Sequence, residues 1–145
     1  MLSFSKRILI KSILLLPFFG RNLFAKDNDE VLKFLTNKFP SYKIINDKVI
    51  LLKSPLLVDS GNYVPVEIIQ IKKNYSLFFE KLFLFAPKNP NPLLVSFCMT
   101  KGVSTNIRTR IRLSDSQNII LVGISNNSIF FDYKKTELIT PGCDV

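Results

Sequence analysis

From Val103 to Leu113 the chain alternates with unusual regularity. Ile107, Thr109, Ile111 and Leu113 fall on one side, and Arg108, Arg110 and Arg112 on the other. A period of two marks a strand that buries one face, here with three arginines in a row on the opposite face. The same period recurs over Val64 to Ile71, where Val64, Val66, Ile68 and Gln70 oppose Pro65, Glu67, Ile69 and Ile71. Ser76 to Phe85 is apolar on both faces, which predicts a strand covered on both sides for part of its length, or paired to a partner. Val49 to Leu52, Leu93 to Met99 and Ile119 to Ile124 read as further short strands. Ser125-Asn126-Asn127-Ser128 reads as a hairpin turn, with Ile129 to Tyr133 returning and Lys134 to Thr140 as a last strand. Asp59-Ser60-Gly61-Asn62, Lys101-Gly102 and Ser114 to Asn118 read as turns, and Pro87 to Pro92, with three alternating prolines, as a stiff loop.

One segment has the other period. Val31, Leu32, Phe34, Leu35 and Phe39 recur at helical spacing, Asp27 and Glu30 form a capping box ahead of them, and Pro40 ends the run. The predicted architecture is mainly β: an immunoglobulin-like antiparallel β-sandwich with one short N-terminal helix and a flexible C-terminal arm.

Residues 1–25 read as an export signal. Lys6, Arg7 and Lys11 form a positive start, Ile13 to Phe19 an apolar stretch, and Ala25 a small residue before the cut. The apolar run falls short of the ~20 residues that cross a bilayer, so no stable membrane anchor is expected. Ser5-Lys6-Arg7-Ile8-Leu9-Ile10-Lys11 also resembles a twin-arginine motif, with Lys in place of the first arginine, so the general and the twin-arginine export routes both stay open. Either route places the mature chain in the periplasm. The domain then spans 26–139, and the arm 140–145.

Composition narrows the chemistry. The 145 residues carry a net charge of +9 and no histidine. Four of the twenty basic residues (Lys6, Arg7, Lys11 and Arg21) lie in the signal, leaving sixteen against eleven acids, a net +5. Without histidine, hydrolytic triads are excluded and a metal site on the two cysteines alone is not expected. No basic cluster interleaves with exposed aromatics, so nucleic acid is not expected as a partner. The arginine row is either a solvated face or a contact for an anion or a partner's carboxylates.

Two cysteines remain. Cys98 sits mid-strand in Ser96 to Thr100 and reads as a small buried hydrophobe, with a disulfide to Cys143 as the alternative. Cys143 follows Gly142, two residues from the end of the sequence, where a thiol can be presented to another molecule. Asp144 and the Val145 carboxylate disfavour its thiolate, which leaves activation to a partner.

Several segments together resemble SoxY, the sulfur-carrying subunit of the SoxYZ complex of bacterial thiosulfate oxidation. Lys53-Ser54-Pro55 with Asp59 to Val66 is similar to the family's P-x-x-A-x-x-G-x-x-V-P-V region. Lys88-Asn89-Pro90-Asn91-Pro92-Leu93-Leu94-Val95-Ser96-Phe97 is similar to its K-N-P-x-P-L-x-A-x-F segment. Val103-Ser104-Thr105 and Thr109-Arg110-Ile111-Arg112-Leu113 resemble its S-T-R-I-R run, and Gly142-Cys143 its terminal Gly-Cys. The resemblance implies a cofactor-free carrier and not an enzyme, with Cys143 as the sulfur attachment site and Gly142 as the arm's hinge. It also implies a SoxZ-like partner subunit and a c-type cytochrome that loads thiosulfate. The family's tail reads G-G-C-G-G. Here Pro141, Asp144 and Val145 replace glycines, which stiffens the arm and adds negative charge. A non-catalytic binding subunit with a degenerate tail is the alternative.

Overall fold

The computed structural model describes residues 29–71 and 77–140. Its elements are α1 (Asp29–Lys38), β1 (Lys43–Ile44), β2 (Ile50–Lys53), β3 (Leu57–Ser60), β4 (Val64–Gln70), β5 (Lys81–Phe85), β6 (Leu93–Cys98), β7 (Asn106–Ile111), β8 (Gln117–Ser125) and β9 (Ser128–Thr140). The large sheet runs β1-β9-β8-β5-β6, with β3 also paired to β9, and the small sheet runs β2-β4-β7.

The sandwich core lies between the sheets. Ile50 and Leu52 of β2, Val64, Val66 and Ile68 of β4, Leu82 and Leu84 of β5, and Ile119 and Leu121 of β8 all bury there. The opposite face of β5 and β8 is also buried, because α1 lies across it. Val31, Leu35 and Phe39, one helical stripe, pack on Phe83, Phe85, Ile120, Val122 and Ile124. The Phe34 ring meets Phe83 and Phe85 edge-on at 5.4 and 5.3 Å. Cover on both faces explains the continuous apolar run in β5: successive side chains alternate between the core and the helix layer. The regular strand begins at Lys81, so residues 77–80 belong to the approach and not to the strand.

The hairpin between β8 and β9 turns at Asn126 and Asn127, with φ of 47° and 58°. Two positive φ values are what a two-residue hairpin turn matched to strand twist requires, and asparagine tolerates them better than most residues. β9 then continues for 13 residues as one strand, where the sequence pattern divides it in two. Its first half pairs with β8, and its last residues pair with β3.

Two short strands escape the sequence reading. β1 and β3 both lie parallel to β9, at its start and at its end, beside the antiparallel pairs that make up the sandwich. Asp59 and Ser60, read as turn residues, close β3, and the turn itself is Gly61-Asn62. Asp27 of the predicted capping box lies outside the described residues. Among the described residues no helix is long and apolar enough to cross a membrane.

Candidate functional site

Cys143 and Gly142 lie outside the described residues. What the structure does place is the root of the segment that bears them. Thr140 ends β9, aligned with Ser60 of β3, and its hydroxyl donates to the Asp59 carbonyl. Leu57 (57% exposed), Tyr63 (75%) and Ile139 (59%) give open apolar surface near the end of β9.

The arginine row ends at the same pole of the sandwich. Beyond Arg112, the Leu113 amide donates to the Gly61 carbonyl at 2.8 Å, and Gly61 follows the residue aligned with Thr140. A methyl group on Gly61 would run into the Leu113 carbonyl oxygen, so this close approach needs glycine. The structure thus brings the Arg112 end of the row to the root of the tail, which sequence spacing alone does not indicate.

Arg108 and Arg110 stand exposed on the outer face of β7 and Arg112 is exposed directly after its end, as the alternation predicts, while Ile111 and Leu113 are buried. They are not equivalent. Arg108 donates from Nε to Glu67 Oε1 at 2.9 Å, and Lys53 Nζ lies 3.5 Å from the other carboxylate oxygen. The Arg108 hydrogen bond, with the positive charges of Arg108 and Lys53, holds the Glu67 carboxyl below its ordinary value of 4.5, against a smaller opposing effect of desolvation. Arg110 aligns with Pro65, which offers no charge. The Arg112 carbonyl accepts from Asn89 Nδ2 at 2.8 Å.

That last contact accounts for the Lys-Asn-Pro segment. The Asn89 side chain donates to Arg112 and accepts from the Ser114 amide at 3.0 Å and from Gln117 Nε2 at 2.9 Å. The Lys88 amide donates to Gln117 Oε1 at 2.8 Å. The proline-rich loop is therefore a bracket that fixes where the arginine strand ends. Its Asn-Pro dipeptide is the signal in the sequence, but the partner, 23 residues away, is not legible there.

Cys98 is exposed and not buried. It closes β6, an outer strand of the large sheet, opposite Lys81. Val95 and Phe97 align with Leu84 and Leu82 of the sandwich core, so Ser96 and Cys98 point to the other face, where both are exposed. The mid-strand reading misses this because periodicity cannot distinguish an outer strand from a central one.

The register also separates Cys98 from the tail. Cys98 is level with Ile124 through Lys81, and Ile124 lies seven residues along β8 from Gln117, on the order of 20 Å. Thr140 lies beyond that level again, four residues past the Thr136 partner of Gln117. Three residues of chain, with a reach of about 10 Å, join Thr140 to Cys143. A disulfide between the two cysteines of one chain would require the sheet to open.

A model of the SoxY family, described as sulfur oxidation protein SoxY, matches residues 36–143. No curated protein matches the chain. Among solved structures, the sulfur carrier protein SoxY from Chlorobium limicola f thiosulfatophilum superposes with a TM-score of 0.65 at 19% identity, covering 77% of this chain and 98% of that one. This likeness establishes the sandwich fold. The family match spans the helix end, every strand, the Asn89 bracket, the arginine row and Cys143: the chain belongs to the SoxY family of sulfur oxidation proteins.

Proposed function

We propose that this protein is a periplasmic carrier that holds sulfur intermediates covalently on Cys143, in complex with a SoxZ-like subunit. The observation that carries this reading is the extent of the family match, which runs to Cys143 as its last residue. The chain is a substrate for other proteins and not itself a catalyst.

Loading is an oxidative condensation. The Cys143 thiol loses its proton, its sulfur bonds to the outer sulfur of thiosulfate, and the two electrons released are taken up one at a time by ferric c-type cytochrome haem, two one-electron reductions per thiosulfate loaded. The product is a cysteine S-thiosulfonate. Water then releases sulfate, leaving a persulfide on Cys143 for further oxidation. The carrier's contribution is to present the thiol to its partners, three residues in sequence beyond the end of β9 at Thr140. Asp144, next to Cys143 in the sequence, disfavours the thiolate and repels a dianion, so activation is assigned to the loading enzyme's site.

The experiment is intact-mass measurement of mature protein from thiosulfate-grown cells, with and without reductant. Reductant-labile adducts on Cys143 that disappear in Cys143→Ser support the carrier. Adducts that persist in a folded Cys143→Ser protein sink it. The altered tail motivates a second reading, a binding subunit whose Cys143 carries nothing. Deleting residues 141–145 without effect on thiosulfate-dependent growth would favour that reading.

A further inference from the structure

We propose that the outer edge of β7 receives an extended, carboxylate-bearing segment of a different polypeptide as a fourth strand of the small sheet. The inference rests on the partner reading above and names the surface that the partner takes.

The register decides which backbone groups are available. The Gln70 amide donates to the Thr105 carbonyl at 3.0 Å, which makes these two a hydrogen-bonded pair. In an antiparallel ladder bonded and non-bonded pairs alternate. Ile107, Thr109 and Ile111 therefore bond to Ile68, Val66 and Val64, whereas Asn106, Arg108 and Arg110 face Ile69, Glu67 and Pro65 across non-bonded positions. The amide and carbonyl groups of Asn106, Arg108 and Arg110 point away from β4, to the outer edge. Pro65 opposite Arg110 fits this register, since no ladder bond to β7 is asked of it.

The two edges of the small sheet are treated differently. On β2 the outward amide of Leu52 donates to the Asp132 carboxylate at 2.7 Å, and Ser54 and Thr136 join their hydroxyls at 2.8 Å, so β9 covers that edge. Among the described residues no strand pairs with the outer edge of β7.

The gap beside that edge has a definite chemistry. A groove of 610 Å³ separates β7 from β6, with Leu94 and Val95 on one wall and Thr109, Arg110 and Ile111 on the other. Among the described residues no carboxylate lines it. Arg108 is already matched by Glu67, but Arg110 is in no ion pair among the described residues. An unmatched arginine next to free backbone donors and acceptors suits a strand whose side chains beside Arg110 are Asp or Glu. A second copy of β7 suits it poorly, because pairing this strand with itself sets arginine against arginine.

The test uses the full mature chain and a SoxZ-like subunit from the same organism. Amide hydrogen exchange is followed for Asn106 to Ile111, free and in the complex. The amides of Arg108 and Arg110 are expected to slow by about tenfold or more on complex formation. Arg110→Glu is expected to weaken the complex by about tenfold at low salt, and Arg110→Lys to retain most of the affinity. A complex that forms while these two amides exchange at the free rate overturns this inference and leaves the partner reading standing. No complex at all overturns both. Equal slowing in the chain alone at high concentration assigns the edge to a second copy and also overturns it.

Discussion

The Asp132 carboxylate accepts a hydrogen bond from the Leu52 amide at 2.7 Å, joining residues 80 positions apart. Leu52 is fully buried and its amide faces away from β4, so no backbone carbonyl of the small sheet serves it. Asp132 therefore fastens the edge of one sheet to β9 of the other.

Asp132→Ala is expected to destabilise the fold by about 1–3 kcal/mol, the penalty of a buried amide left without an acceptor. Asp132→Asn keeps an acceptor and should lose much less. Urea unfolding of the two variants separates these outcomes: equal midpoints would show that the amide finds another acceptor.

Asn89→Ala removes four hydrogen bonds at once, one to the Arg112 carbonyl, two from Ser114 and one from Gln117. A loss of about 1–3 kcal/mol is expected, since the part-buried Gln117 amide and Arg112 carbonyl lose partners together. Asn89→Asp cannot donate to the Arg112 carbonyl and should be intermediate. Faster amide exchange confined to residues 112–117 would locate the damage at the end of the arginine row.

Glu67 gives the acid limb a predicted sign. Its carboxyl is held below 4.5 chiefly by Arg108, so the native state binds fewer protons than the unfolded chain in that range. The stabilisation is present above the ordinary value and is lost as pH falls through the lowered one. Arg108→Ala should lower stability near neutral pH, by a small amount because the pair is exposed, and converge with the parent at acid pH, so that part of its profile is flatter. Urea midpoints taken near neutrality and below pH ~4 supply the comparison. An unchanged acid slope would reject the assignment.

Gly61 and Gly123 are both sites where a side chain has no room, but for different reasons. At Gly123 an added methyl meets the Phe79 ring at 2.8 Å and Ile50 at 3.1 Å, side chains that can shift. Gly123→Ala should lose about 1–3 kcal/mol, the usual penalty of overpacking. At Gly61 the obstacle is the Leu113 backbone carbonyl, and the amide of the same residue donates to the Gly61 carbonyl, so neither backbone can easily shift. Gly61→Ala should lose more than Gly123→Ala in chemical denaturation, and the reverse order would contradict the packing described.

The alternation of Ile107 to Leu113 and the helical stripe of Val31, Leu35 and Phe39 each encode one face locally, and the structure keeps both. The Asn126-Asn127 turn is equally legible, because its positive φ values are a local demand. The Lys-Asn-Pro and Arg-Ile-Arg segments point to the family before any fold is known. Other features depend on residues far apart in the chain, and local period is silent about them. β1, two residues long, and β3, four residues long, exist only because β9 offers its edge to them. Cys98 is exposed because its strand closes a sheet, and the same Ser-Phe-Cys pattern at the centre would be buried. The bracket at Asn89, the clamp at Asp132 and the meeting of Arg112 with the root of the tail all join segments brought together by sandwich closure. Sequence determined which faces are apolar and which chemistry is present. Tertiary structure decided which edges are covered and which polar groups meet, because strand order and register are set by burying the whole core at once.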